Sequence, residues 1–330
     1  MVEDGVCYKM GHGEVSECVT EPAPGPALSL RPRGGLARAL YEKHQTDQFL
    51  SQFDKSQWYH CDLSRVPAEL ASKFVELGPD DDTIQFLQRS EEKSDWILTQ
   101  IWHSIVKTFL GWFMTQTSIN GWLQRGSMFV VSLQQFLKLL GADEGWRGRT
   151  LLDLGAGDGE VTAHLSPLFA RTYVTEVSHT MRTLLQNRGY ELLEIDTWHH
   201  DRKFDVISCL NLIDRCDTPN QLLTQIRTTL EPDGVVLLAV VLPFSAYVES
   251  GGFAAPFEGF AGSRDHKPTE VLPIVGSCFE EQVKSVVEDV LTPAGFEVVS
   301  WTRVPYLCEG DLQQSYYWLD DVVFVLKAAN

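Results

Sequence analysis

Nothing in this 330-residue chain is apolar for long enough to cross a bilayer. Its longest purely aliphatic run, 235–242, is far short of the roughly 20 residues a spanning helix needs and reads as a buried parallel strand. Runs of Lys and Arg are also missing. The formal net charge is −18, which removes the basic footprint required for sequence-independent nucleic-acid binding. Cysteine is sparse, seven residues with no Cys-x-x-Cys pair. That odd, scattered set implies reduced thiols rather than a disulfide framework or a zinc site. The first thirty residues carry Glu3 and Asp4 and no apolar core, so no signal peptide is expected and a cytoplasmic placement follows. What is present is an apolar fraction of 44%, enough for a real core, in a length that suits one large domain or two smaller ones.

Three regions are expected. Residues 1–55 form a loosely ordered tail with Pro22, Pro24, Pro26 and Pro32, although 36–53 is compatible with a helix. Residues 56–148 read as helical. Apolar pairs Ile97/Leu98, Ile101/Trp102, Ile105/Val106 and Phe109/Leu110 recur at helical spacing, a stripe that more often faces a core than a membrane. From residue 149 to 330, strand and helix patterns alternate, which implies an α/β domain with a mostly parallel sheet covered on both faces. Strands are expected at 150–154, 171–175, 191–195, 204–210, 234–242, 296–304 and 316–327. Helices are expected at about 159–169, 178–188, 219–230 and 279–294. The last two strands have no helix between them, so they pair antiparallel. The result is a seven-stranded doubly wound sheet with a reversed final strand, and no internal repeat.

The chemistry concentrates at Leu151-Leu-Asp-Leu-Gly-Ala-Gly-Asp-Gly-Glu160, where an apolar strand ends in Asp-x-Gly-x-Gly-x-Gly and meets a helix. Glycines there allow a tight turn and close approach to a cofactor. Glu176 ends the next apolar stretch, 21 positions after Gly155, near the spacing of a ribose-binding carboxylate. The glycines of Gly155-Ala156-Gly157 and Gly159 are spaced two apart, which is not the Gly-x-Gly-x-x-Gly of a dinucleotide site. Asp153 would repel a pyrophosphate and suits an ammonium. These features favour S-adenosylmethionine over a nicotinamide cofactor.

Ligands of such sheets bind beyond the carboxyl ends of the strands. After the third strand, Asp196, Thr197 and Trp198 stand where an adenine is expected, with Asp196 accepting from its amine and Trp198 stacking. An ordinary polar loop is an equal reading. After the fourth strand come Asn211, Asp214 and Arg215, placed next to the reactive methyl; the last two also read as a surface ion pair. Between the last two strands, Tyr306, Glu309, Asp311 and nearby Asp320 either rim a substrate groove or belong to a solvated hairpin loop. His199-His200 lacks a second ligand cluster, so no metal is assigned.

Asp153-Leu-Gly-Ala-Gly-Asp-Gly-Glu160 resembles motif I of class I (Rossmann-like) S-adenosylmethionine-dependent methyltransferases. Rarer strings add to it: Thr117-Ser-Ile-Asn-Gly121, Arg125-Gly-Ser-Met-Phe-Val130, Ser208-Cys-Leu-Asn-Leu-Ile-Asp-Arg-Cys-Asp217, Leu242-Pro-Phe244 and Pro305-Tyr-Leu-Cys-Glu-Gly-Asp311. Together they resemble the methyltransferase-like nine, or DREV, family over about residues 56–328. The resemblance implies a protein-histidine methyltransferase acting on the pros nitrogen in His-x-His segments of protein substrates. It implies cofactor contacts at Asp153, Gly155, Gly157 and Glu176, acceptor-site roles for Asn211, Asp214 and Tyr306, and closure over the cofactor's amino-acid end by Arg125 and Ser127. Two features depart from the family pattern. Members often begin with an apolar, signal-like segment, and hence an endomembrane or mitochondrial placement, whereas this chain begins acidic. Residues 249–268 are longer and richer in Gly and Phe. Two other functions suit the same fold: a small-molecule methyltransferase and a non-catalytic cofactor-binding scaffold.

Overall fold

The computed structural model describes residues 34–96, 99–100, 102, 126–248 and 268–329. The chain runs through helices α1 (Gly35–Gln52), α2 (Ala68–Ala71) and α3 (Asp81–Asp95), then strand β1 (Met128–Phe129) and helix α4 (Leu133–Leu140). Strands β2 (Gly148–Leu154), β3 (Phe169–Thr175) and β4 (Glu191–Leu192) alternate with helices α5 (Glu160–Leu165) and α6 (His179–Asn187). Strand β5 (Phe204–Leu210), helix α7 (Pro219–Thr229), strand β6 (Leu230–Leu242) and helix α8 (Phe279–Ser285) follow, and β7 (Phe296–Glu309) and β8 (Tyr316–Ala328) close the chain.

These strands make one sheet of eight in the order β1-β7-β8-β6-β5-β2-β3-β4. Strands β2 to β6 pair in parallel with their neighbours. Strand β8 lies antiparallel between β6 and β7, the expected reversed last strand. Three features differ from expectation. The eighth strand, β1, is only two residues long and covers the outer edge of β7. Strand β4 ends at Leu192 instead of 195. Strand β7 continues to Glu309, so most of the segment read as an inter-strand loop is sheet.

Strand pleating sends alternate residues to opposite faces. On β2, Leu152 and Leu154 join Ile207, Val236 and Leu238 in a layer closed by Leu223 and Ile226 of α7 and Val283 of α8. Leu151 points the other way and joins Val206, Leu237 and Val323 in a layer closed by Leu50 of α1, Phe86 of α3 and Phe136 of α4. The helices before the sheet therefore share its core. Helix α1 occupies the second half of the stretch expected to be a loose tail, matching the alternative helical reading of 36–53. Helix α4 starts at a full capping box, Ser132 with Gln135, and stops at Gly141 in the left-handed conformation (φ 64°). Trp301, fully buried, donates its indole N–H to the Leu70 carbonyl at 2.7 Å and so fastens α2 to β7. Most of the apolar stripe 97–110, the string 117–121, Arg125 and residues 249–267 lie outside the described residues.

Candidate active site

Strand β2 delivers Asp153 and Leu154 into a turn in which Gly155, Gly157 and Gly159 all have positive φ (69°, 56° and 79°). Gly157 is the open position: a side chain built there would meet nothing within 4 Å. Behind it, Glu176 at the end of β3 accepts from the Gly157 N–H at 3.0 Å and the Ser178 N–H at 2.8 Å. A carboxylate has about four lone-pair sites, so Glu176 keeps capacity for a diol. An open glycine peptide beside a carboxylate with spare acceptors fits a ribose-bearing cofactor.

Asp153, the residue expected to meet an ammonium, has two side-chain partners in the protein. It is buried between β5 and α5, accepts from Ser208 Oγ at 2.6 Å, and accepts from Thr162 Oγ1. Burial pushes its carboxyl up to about 6, against the pull of those two hydroxyls. In this geometry Asp153 ties strand β5 to helix α5 and holds the turn. Ser127 reaches the same turn, with its Oγ donating to Asp158 Oδ2 at 3.1 Å. Its carbonyl accepts from the Glu309 N–H at 3.0 Å, so the end of β7 is fastened beside the glycines.

The exit of β5 lies against that turn. A Cβ on Gly155 would come within 3.0 Å of the Leu212 side chain. Asn211 takes φ 54°, a left-handed conformation that asparagine tolerates better than most residues. Its N–H donates to the Ala239 carbonyl at 3.1 Å, and its side-chain Nδ2 donates to Asp321 Oδ2 at 2.8 Å. Asp214 is buried and sits 3.7 Å from the Arg215 guanidinium. Burial holds the Asp214 carboxyl above its ordinary value, opposed by Arg215, and holds that of Asp321 well above it. Three buried oxygens, Asn211 Oδ1, Asp214 Oδ1 and Asp321 Oδ1, have no hydrogen-bond partner among the described residues. Buried acceptors left this way cost about 1–3 kcal/mol each, which sets these three apart from the satisfied carboxylates around them.

Tyr306 lies inside β7, opposite Leu319, rather than in a loop. Asp321 pairs with Val304, so Tyr306 and Asp321 share a face of the sheet one pleat apart. The Tyr306 hydroxyl meets Met128 Sδ of β1. Asp321 carries no sequence signal beyond a second acid, after Asp320, at the mouth of an apolar strand.

The acidic residues expected to rim a groove are engaged elsewhere. Glu309 pairs with Lys93 and accepts from the Gly126 N–H, Asp320 pairs with Arg303 at 2.8 Å, and Asp311 accepts from the Tyr317 hydroxyl within the hairpin. Trp198 does not wait for an adenine: its ring is buried in the core layer with Tyr173 and Phe204. Asp196 and Thr197 are exposed in the turn before it.

A family model described as DREV methyltransferase matches residues 58–328. Among solved structures, the chain is similar to an S-adenosylmethionine-dependent methyltransferase from Clostridium acetobutylicum ATCC 824, with 15% identity over 56% of this chain and 86% of that one and a TM-score of 0.36. It is also similar to Burkholderia thailandensis 1,6-didemethyltoxoflavin-N1-methyltransferase, with 18% identity over 60% and 76% and a TM-score of 0.38. DhpI, in its complex with SAH, matches at 15% identity over 74% of this chain and 95% of that one, with a TM-score of 0.40.

Proposed function

The chain belongs to the DREV methyltransferase family and uses S-adenosylmethionine, and from that premise we propose that it methylates the pros nitrogen of histidine in His-x-His segments of proteins. The observation that carries the acceptor half of this reading is the set of buried, unmatched oxygens at Asn211, Asp214 and Asp321. They call for an N–H donor, and a neutral imidazole offers one N–H and one lone pair.

When bound, the cofactor supplies a sulfonium-borne methyl group that a nucleophile displaces in line. The chain's task is then positioning rather than strong base catalysis, because histidine with a pKa near 6.5 is already largely neutral at pH 7. Asp214 accepts from the tele N–H, which selects the tautomer whose pros nitrogen carries the lone pair. It also stabilises the positive ring that methylation creates. Asn211 orients the ring through its carbonyl oxygen, and Tyr306 walls the same face. Gly155, Ala156, Gly157 and Glu176 hold the ribose end of the cofactor. Arg125 and Ser127 close over its amino-acid end, and Asp153 keeps the turn in shape from behind. Asp196 and Thr197 border the adenine from the surface.

The test is incubation with labelled S-adenosylmethionine and a His-Ala-His peptide, beside a His-to-Ala control and free histidine. Mass spectrometry then reports the ring nitrogen modified. Methyl on the pros nitrogen of the peptide alone is the expected result. Label on free histidine at a comparable rate, or none on the peptide, would overturn the reading.

A further inference from the structure

We infer that Asp321 is a positioning residue: it turns the Asn211 amide so that only oxygen faces the acceptor, and thereby sets which ring nitrogen can be methylated. The inference rests on the histidine reading above. Asp321 is 0% exposed in a strand that continues Val322-Val-Phe-Val325. A carboxyl group there costs free energy that valine would not, so its presence has to be explained by what it contacts. Among the described residues its hydrogen-bond partner is Asn211, whose Nδ2 donates to Asp321 Oδ2 at 2.8 Å.

An amide has its nitrogen and oxygen on opposite sides. Committing Nδ2 to Asp321 therefore points Asn211 Oδ1 away from β8, where it has no partner among the described residues. The backbone cannot undo this, because the Asn211 N–H is bound to Ala239 and its φ is 54°. Asn211 Oδ1 and Asp214 Oδ1 then present acceptors. Such a surface can hold an imidazole only by its N–H nitrogen and leaves the other nitrogen's lone pair exposed for transfer. With the amide flipped, Nδ2 would donate to a ring lone pair, cover the nucleophile and favour the opposite tautomer.

Two variants and two readouts test this. In Asp321→Asn the new amide can donate to Asn211 Oδ1 and permit the flip. Its turnover on the His-Ala-His peptide should fall about tenfold or more, with cofactor affinity by calorimetry within about twofold of wild type. A share of the methyl should move to the tele nitrogen. Unchanged turnover and unchanged product in a folded variant would overturn the inference. The second readout needs no substrate. The Asn211 side-chain amide protons, followed by NMR, should exchange slowly in the wild type and about tenfold faster in Asp321→Leu. Equal exchange rates in the two proteins would also overturn it. Should Asp321→Leu fail to fold, the same measurement on the isosteric Asp321→Asn decides. If wild type leaves the peptide unmodified, the histidine reading fails alone, and the exchange measurement still settles whether Asp321 orients Asn211.

Discussion

A buried carboxyl pushed up to about 6, as Asp153 is, makes stability depend on pH in a definite direction. The folded state holds the proton more tightly than the unfolded chain does. The neutral form's contribution is therefore complete below about pH 4 and is lost as pH rises through about pH 6. The full swing is on the order of 3 kcal/mol. Asp153→Asn removes that dependence. Whatever constant offset the substitution introduces, the variant should gain in Tm relative to wild type between pH 4 and pH 7; parallel Tm curves would show that Asp153 does not titrate in this window. At the acceptor, Asp214→Asn should retain cofactor binding by calorimetry and lose turnover by about 10²-fold. The wild-type rate should rise with pH as Asp214 and the substrate imidazole both deprotonate, and the variant should keep only the imidazole limb.

The glycine turn is where an element's shape depends on single backbone positions. Gly159 opens helix α5 at φ 79°, and a Cβ there would stand 2.8 Å from Leu185 Cδ2. Gly159→Ala should cost about 1–3 kcal/mol and lower Tm by several degrees, read by thermal melting. Elements with a strong pattern were legible in the chain. Strand β5 spans the expected 204–210, because a short stretch that is apolar except at Asp205 and Ser208, rich in Val, Ile and Phe, has few other solutions. The turn at 153–159 and its partner Glu176 were legible for the same reason: the motif and its spacing are local. Strand β1 was not, since two residues carry no period and its pairing with β7 is set by tertiary contact. Around Tyr306, Pro305 and the following acids look like loop chemistry and hide the strand. Proline is tolerated there because the hydrogen bonds of a strand alternate in side, and β7 turns part of its length to the short β1. Trp198 looked like a stacking platform, but nothing in its neighbours says whether an aromatic at a strand exit faces ligand or core. Asp321 is not legible in the chain because its contact with Asn211 exists only once β8 lies beside that turn.

The whole molecule carries a net charge of −18, and its field acts on any peptide that approaches. A His-Ala-His peptide flanked by lysines should show kcat/KM falling as salt rises from about 0.01 to 0.5 M, while a glutamate-flanked one should improve over the same range. Salt-independent rates for both peptides would remove steering as a source of selectivity. Among the described residues no helix is long and apolar enough to cross a membrane. The two halves of the site also come from different parts of the chain. The glycine turn and Glu176 lie between residues 153 and 176, in strands that pair with each other and with β5. Asp321 comes from β8, which completes the sheet by sliding between β6 and β7. During synthesis the cofactor-holding half therefore leaves the ribosome well before β8. A nascent chain that has reached Thr229 holds every glycine of the turn and Glu176, yet cannot orient Asn211. In the proposed assignment, donor handling is built first, and acceptor selection arrives with the last strand.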